Sequence, residues 1–187
     1  MSLVSTRSAA PTQILHTVAE AVGLSCLAAA LLLNALPAVG LAEVGALPFK
    51  AGLLVFATGQ ILAGLAAWRR HEPLAALVLA AFGLFWFSRS AYAVAAPAEG
   101  TATSAVLLLF LWGGYALILA CEAEAGQRLL RLTLGAIGAA LLVQAFGVAC
   151  AAPALLVLAG VVSLLAALAT AVTAIDRARQ CHRDLLR

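Results

Sequence analysis

Six stretches of roughly twenty apolar residues, separated only by short connectors, dominate this chain and restrict it to one kind of solvent. A bilayer core about 30 Å thick is crossed by about 20 helical residues, and stretches of that length lie at 18–41, 47–68, 74–96, 102–121, 129–150 and 153–175. Of the 187 residues, 65% are hydrophobic and 10% charged, and the mean hydropathy is +1.09. A soluble domain of this length needs a polar shell that such a composition does not supply. The expected fold is therefore all-α, a six-span transmembrane bundle. Residues 1–17 form a short N-terminal tail, 18–175 the membrane domain, and 176–187 a basic C-terminal tail. What remains has no room for a nucleotide-binding domain or a receptor ectodomain. Residues 1–17 also lack the compact apolar core of a cleaved signal peptide.

Basic residues fall in alternate connectors. Arg7 precedes span one, Arg69 and Arg70 follow span two, Arg128 and Arg131 follow span four, and Arg177, Arg179, Arg183 and Arg187 follow span six. The opposite side has only Lys50, and Arg89 falls inside span three. The short-loop Lys/Arg bias sets orientation, so both termini are expected in the cytoplasm, in an inner or plasma membrane. The net charge of +3 reflects this asymmetry. No basic run is interleaved with stacking aromatics, so no nucleic-acid partner is expected.

Several chemistries lack the residues they need. The histidines, His16, His71 and His182, are far apart and have no metal-ligand spacing with a Cys, Asp or Glu. Cys26, Cys121, Cys150 and Cys181 form no CxxC pair and read as small buried side chains. There is no Walker-type or dinucleotide-type glycine loop, and no nucleophile–base pair at membrane depth. The chain is expected to be no enzyme and to carry no cofactor and no metal. What stands out is a sparse set of polar residues inside the spans: Glu20, Asn34, Gln60, Arg89, Gln144, Tyr92 and Tyr115. Ionisable groups at this depth are costly and usually face a bundle interior or a wet path. The amides can equally serve to hold helices together.

The middle of the chain carries a resemblance. Residues 55–70 read Val-Phe-Ala-Thr-Gly-Gln-Ile-Leu-Ala-Gly-Leu-Ala-Ala-Trp-Arg-Arg, and 82–88 read Phe-Gly-Leu-Phe-Trp-Phe-Ser. Gln60 before Ala63-Gly64, the basic pair Arg69-Arg70, and the aromatic-Gly-x-Phe-Trp at 82–86 resemble the acetate uptake transporter family, whose bacterial type is the succinate–acetate permease. Leu-Leu-Leu-Asn at 31–34, Leu-Trp-Gly at 111–113 and Gly126-x-Arg128 are similar to it too. One block departs. The family opens span one with Asn-Pro-x-Pro-φ-Gly-Leu (φ apolar), whereas 18–24 here read Val-Ala-Glu-Ala-Val-Gly-Leu. Both prolines are absent, so the helix entrance that they would bend is regular here and bears Glu20.

This resemblance implies six-helix protomers assembled as hexamers, each with its own pore for small monocarboxylates. It also implies a pore constriction at Leu27, Phe82 and Ile137, apolar side chains suited to a dewetting gate. Helical register then adds an observation of its own. Seven residues beyond Leu27, Phe82 and Ile137 stand Asn34, Arg89 and Gln144, on nearly the same faces and about 10 Å further along the axis. They are candidates for an outer vestibule that binds substrate, with Arg89 as the charged anchor. Alternatively, Arg89 snorkels to the outer headgroups. Glu20, seven residues before Leu27, and Gln60 are assigned to the inner pathway, with Glu20 protonated, paired with a cytoplasmic arginine, or acting as a proton-linked switch.

The leading expectation is a channel or proton-linked carrier for small organic anions, acetate-like monocarboxylates with succinate as a further candidate. The alternative is a non-transporting six-span stress, acid-resistance or assembly protein. Small residues recur along span two at Gly52, Gly59, Ala63 and Ala66, and along span five at Gly135, Ala136, Gly138, Ala139 and Ala140. They serve close helix packing, within a protomer or between protomers.

Overall fold

The computed structural model describes residues 11–43, 45–95, 101–123 and 127–185, with the side chains of 18–43, 45, 47–90, 103–123, 127–180 and 182–183. Arg7, Arg187 and the side chains of His16, Tyr92 and Cys181 lie outside the described set. Six helices follow one another: α1 (Pro11–Ala38), α2 (Ala46–Trp68), α3 (Pro73–Ala95), α4 (Thr101–Glu122), α5 (Arg128–Ala149) and α6 (Pro153–Leu185). All six contain a stretch long and apolar enough to cross a membrane, and the chain is a multi-pass membrane protein. Large apolar side chains such as Leu62, Leu111, Ile118 and Leu165 stand exposed on the bundle's outside, as a lipid-facing surface requires.

Three ends differ from the sequence-based bounds by more than two residues, the first being the start of α1 at Pro11, so that residues 11–17, expected as a tail, are helical. α1 stops at Ala38 rather than running to 41, because Gly40 adopts φ +71° and the amides of Gly40 and Leu41 bond back to Pro37 O (3.1 Å) and Leu36 O (3.1 Å). That is a Schellman cap, which the left-handed glycine makes cheap. At the other end of the chain, residues expected as a tail from 176 onward continue α6 to Leu185. The same cap closes α2 and α5 without glycine. His71 (φ +60°) and Ala151 (φ +48°) take the left-handed position, with Glu72 N–H bonded to Ala67 O (3.2 Å) and Ala152 N–H to Gly147 O (2.9 Å).

The helices pack chiefly with their sequence neighbours, and α6 closes the ring onto α1. Small residues make these seams, all within one chain. A side chain at Gly64 would strike the Ala80 backbone of α3 (2.6 Å to N), and one at Gly83 would strike Ala57 O of α2 (2.8 Å). Gly113 and Gly138 join α4 to α5, and Gly160 of α6 lies against Ala35 and Ala38 of α1. Gly59 and Ala63 of α2 meet Cys26 and Gly23 of α1. Gly135, by contrast, faces open space. The α3–α4 seam is different, being thinly contacted along the backbone and filled by rings. Trp112 lies 6.3 Å from Phe82, 5.5 Å from Phe85 and 5.6 Å from Tyr115 between centroids.

Candidate functional site

Leu27, Phe82 and Ile137 are at most 1% exposed and belong to one buried cluster with Leu31, Phe85, Trp86, Leu134 and Leu141. α1, α3 and α5, which carry them, alternate around the ring. Phe82 faces this core and not the lipid. The backbones of α1 and α5 do not approach each other directly, nor do those of α3 and α5. The space between them is therefore filled by side chains alone. A region held only by side chains can open by rotamer change without moving a helix.

Three buried polar atoms have no hydrogen-bond partner among the described residues: Gln60 Oε1 on α2, Trp86 Nε1 on α3 and Thr133 Oγ1 on α5. Gln60 donates its amide N–H to Phe56 O (3.3 Å), which leaves its carbonyl unsatisfied. Trp86 is one helical turn beyond Phe82, and Thr133 one turn before Ile137. Each such atom costs on the order of 1–3 kcal/mol unless it finds a partner.

At the end bearing the basic connectors, Glu20 of α1 accepts an ion pair from Arg177 of α6, Oε1 to Nε 3.3 Å. Both line a cavity of about 400 Å³ together with Glu72, Glu122, Gln127 and Leu130. Glu72 is in turn paired with Arg70 at 3.2 Å. A narrower recess runs on from the pair past Leu24, Val78, Leu79 and Leu130. The helical start of α1 thus places a carboxylate at this end of the bundle, and α6 supplies its counter-ion.

At the other end, Asn34 and Gln144 line one cavity of about 350 Å³ with Pro37, Pro153, Gly160 and Ser163. Arg89 does not line it. It is partly buried at the last turn of the apolar stretch Pro73–Ser90, and it forms no hydrogen bond or ion pair among the described residues. Next to it Ser90 donates to Lys50 O (3.2 Å), fastening α3 to α2.

Ser163, Arg177, Thr133 and Trp86 were not assigned to the site from the sequence, where Arg177 counted only toward orientation and Trp86 only toward the resemblance. A signal for the first two exists. Ser163, Thr170 and Arg177 repeat every seven residues along α6, as Glu20, Leu27 and Asn34 do along α1. With the two helices packed and Glu20 bonded to Arg177, this repeat brings Asn34 level with Ser163 on the same cavity. Thr170, level with Leu27, gives its hydroxyl proton to Ala166 O of its own helix (2.7 Å).

No group of three or more His, Cys, Asp or Glu residues suited to a metal occurs among the described residues. No known family profile matches the sequence, and no curated protein is significantly similar to it. Among solved structures, the fold is similar to that of the bacterial acetate channel SatP. The TM-score is 0.78, with 20% identity over 84% of this chain and 89% of that one.

Proposed function

We propose that this protein is a channel or proton-linked carrier for small carboxylates of the acetate class in an inner or plasma membrane, with both termini cytoplasmic. The observation that carries the reading is the axial order of side chains along α1 and α6. A charged mouth at Glu20–Arg177 leads to a buried apolar ring at Leu27, and that leads to an uncharged polar cavity at Asn34 and Ser163. A fold shared with an acetate channel supports it.

In this reading Leu27, Phe82 and Ile137 form the constriction, which excludes water until a solute spreads the rings. Trp86 N–H and Thr133 O–H offer hydrogen bonds that a carboxylate loses on leaving water, and Gln60 Oε1 accepts one only from a solute that carries a proton. Arg89 draws anions toward the outer end, where an unpaired guanidinium is otherwise costly. Substrate is bound and passed on without covalent chemistry, and the protein is no enzyme.

Reconstituted vesicles test this. Phe82→Ala should raise labelled acetate flux severalfold by widening the constriction, and Arg89→Gln should lower it at low concentration, with Arg89→Lys retaining part. Equal flux in wild type and all three variants, no greater than that of empty vesicles, contradicts the proposal.

A further inference from the structure

The two cavities differ in one respect that bears on the substrate's protonation. The mouth at the basic end is lined by Glu20, Glu72, Glu122 and Arg177. Among the described residues, the cavity at the opposite end is lined by no ionisable side chain. The charged residues described at that end are Glu43 on the α1–α2 connector, Lys50 on α2 and Arg89 on α3, and none of them reaches its wall. Its polar lining consists of two primary amides and a hydroxyl, those of Asn34, Gln144 and Ser163, from three different helices. None of these side chains has a hydrogen-bond partner among the described residues, and none is sealed from the cavity space. All three lie inside apolar spans.

An amide presents a carbonyl acceptor as well as N–H donors. A carboxylate carries no proton and can satisfy only the donors, leaving both carbonyl oxygens unpaired in a site with no counter-charge. An un-ionised carboxylic acid carries one O–H and one C=O, the complement of a primary amide, and closes two hydrogen bonds with it. A volume of about 350 Å³ is at the small end for ligand pockets and suits a short-chain acid with water. We infer that the Asn34–Gln144–Ser163 cavity binds the un-ionised form of a small carboxylic acid, so that substrate and proton occupy it together. The choice of a carboxylic acid rests on the transport reading above; the preference for an uncharged occupant rests on the cavity alone. The proton comes from the bulk solution on that side, and no bond to the protein forms or breaks.

The test uses the full chain in phosphatidylcholine nanodiscs, with acetamide and acetate as probes and ligand-observed NMR as the readout. Acetamide has the shape of acetic acid and stays neutral. It should bind equally at the acid's own pKa and two units above it, whereas acetate binding should fall about fiftyfold between the two as the neutral fraction does. Acetate should displace acetamide only at the lower pH. Ser163→Ala should weaken both probes severalfold, and Gln144→Leu at least tenfold. The two are read separately, so that one misfolded variant leaves the other informative. Acetate binding that ignores pH overturns the inference. So does acetamide binding that survives both substitutions, or the absence of acetamide binding because lipid fills the cavity. If acetamide behaves as stated while no acetate crosses reconstituted vesicles, the transport reading fails and the neutral site stands.

Discussion

The Glu20–Arg177 pair gives the account a perturbation with two signs. Its charges are 3.3 Å apart, with Glu20 15% and Arg177 36% exposed, on the wall of a cavity of about 400 Å³. Paired, they cancel each other, as Glu72 and Arg70 do, and Glu122 is left as the carboxylate on that wall. In Arg177→Gln a carboxylate remains alone and repels an entering anion, and in Glu20→Gln a guanidinium remains and attracts it. Two unit charges 4 Å apart interact by about 1 kcal/mol in water and about 4 kcal/mol at an effective dielectric of 20. The half-exposed arginine and open cavity favour the lower figure. A factor of roughly five in acetate flux is therefore expected below saturation, downward for Arg177→Gln and upward for Glu20→Gln. The double variant should return near wild type, and raising the salt should shrink both single effects. Initial rates of labelled acetate uptake into vesicles, normalised to folded protein, measure this. Equal losses in both single variants would mean that the pair only holds α1 to α6, and unchanged rates would place the mouth off the pathway.

Four further outcomes follow from packing and topology. Gly64→Ala should destabilise the bundle by about 1–2 kcal/mol in a detergent unfolding titration, since overpacking a rigid backbone neighbour outweighs the helix-propensity gain of about 0.5–1 kcal/mol. Gly114→Ala, where an added Cβ meets nothing within 4 Å, should be neutral or stabilising. Ala151→Gly should raise stability by about 1 kcal/mol in the same assay, because it relieves a left-handed alanine at φ +48°. A cysteine placed at His71 should resist an impermeant thiol reagent in intact cells while one at Glu43 reacts; the reverse pattern would invert the orientation.

Much of this architecture is legible in the sequence because lipid leaves few alternatives. An apolar stretch of about 20 residues can satisfy its backbone only as a helix, and Pro73 and Pro153 mark the starts of α3 and α6. The end of α1 was less legible, since Pro37 sits inside the helix and the stop comes from a cap whose bonds involve residues 36–41. Within the site, the seven-residue register of Asn34 and Gln144 could be read from helical phase, and the two share a cavity. Arg89 has the same phase on α3 but does not join them, because phase fixes a side chain's direction on its own helix and not where that helix stands in the ring. Ser163 escaped notice for the converse reason. A lone serine in an apolar helix carries no signal until α6 is known to pack on α1. Arg177 looked like one of several arginines marking the cytoplasmic side, and only the continuation of α6 past 175 puts it against Glu20.

The most direct test of the central claim is labelled acetate uptake by vesicles containing only this protein, with and without an inward proton gradient, compared with empty vesicles. Saturable uptake that the gradient accelerates, and that acetamide inhibits from the outer side, is the predicted result. Uptake no faster than in empty vesicles under either condition, with the protein folded, would contradict it.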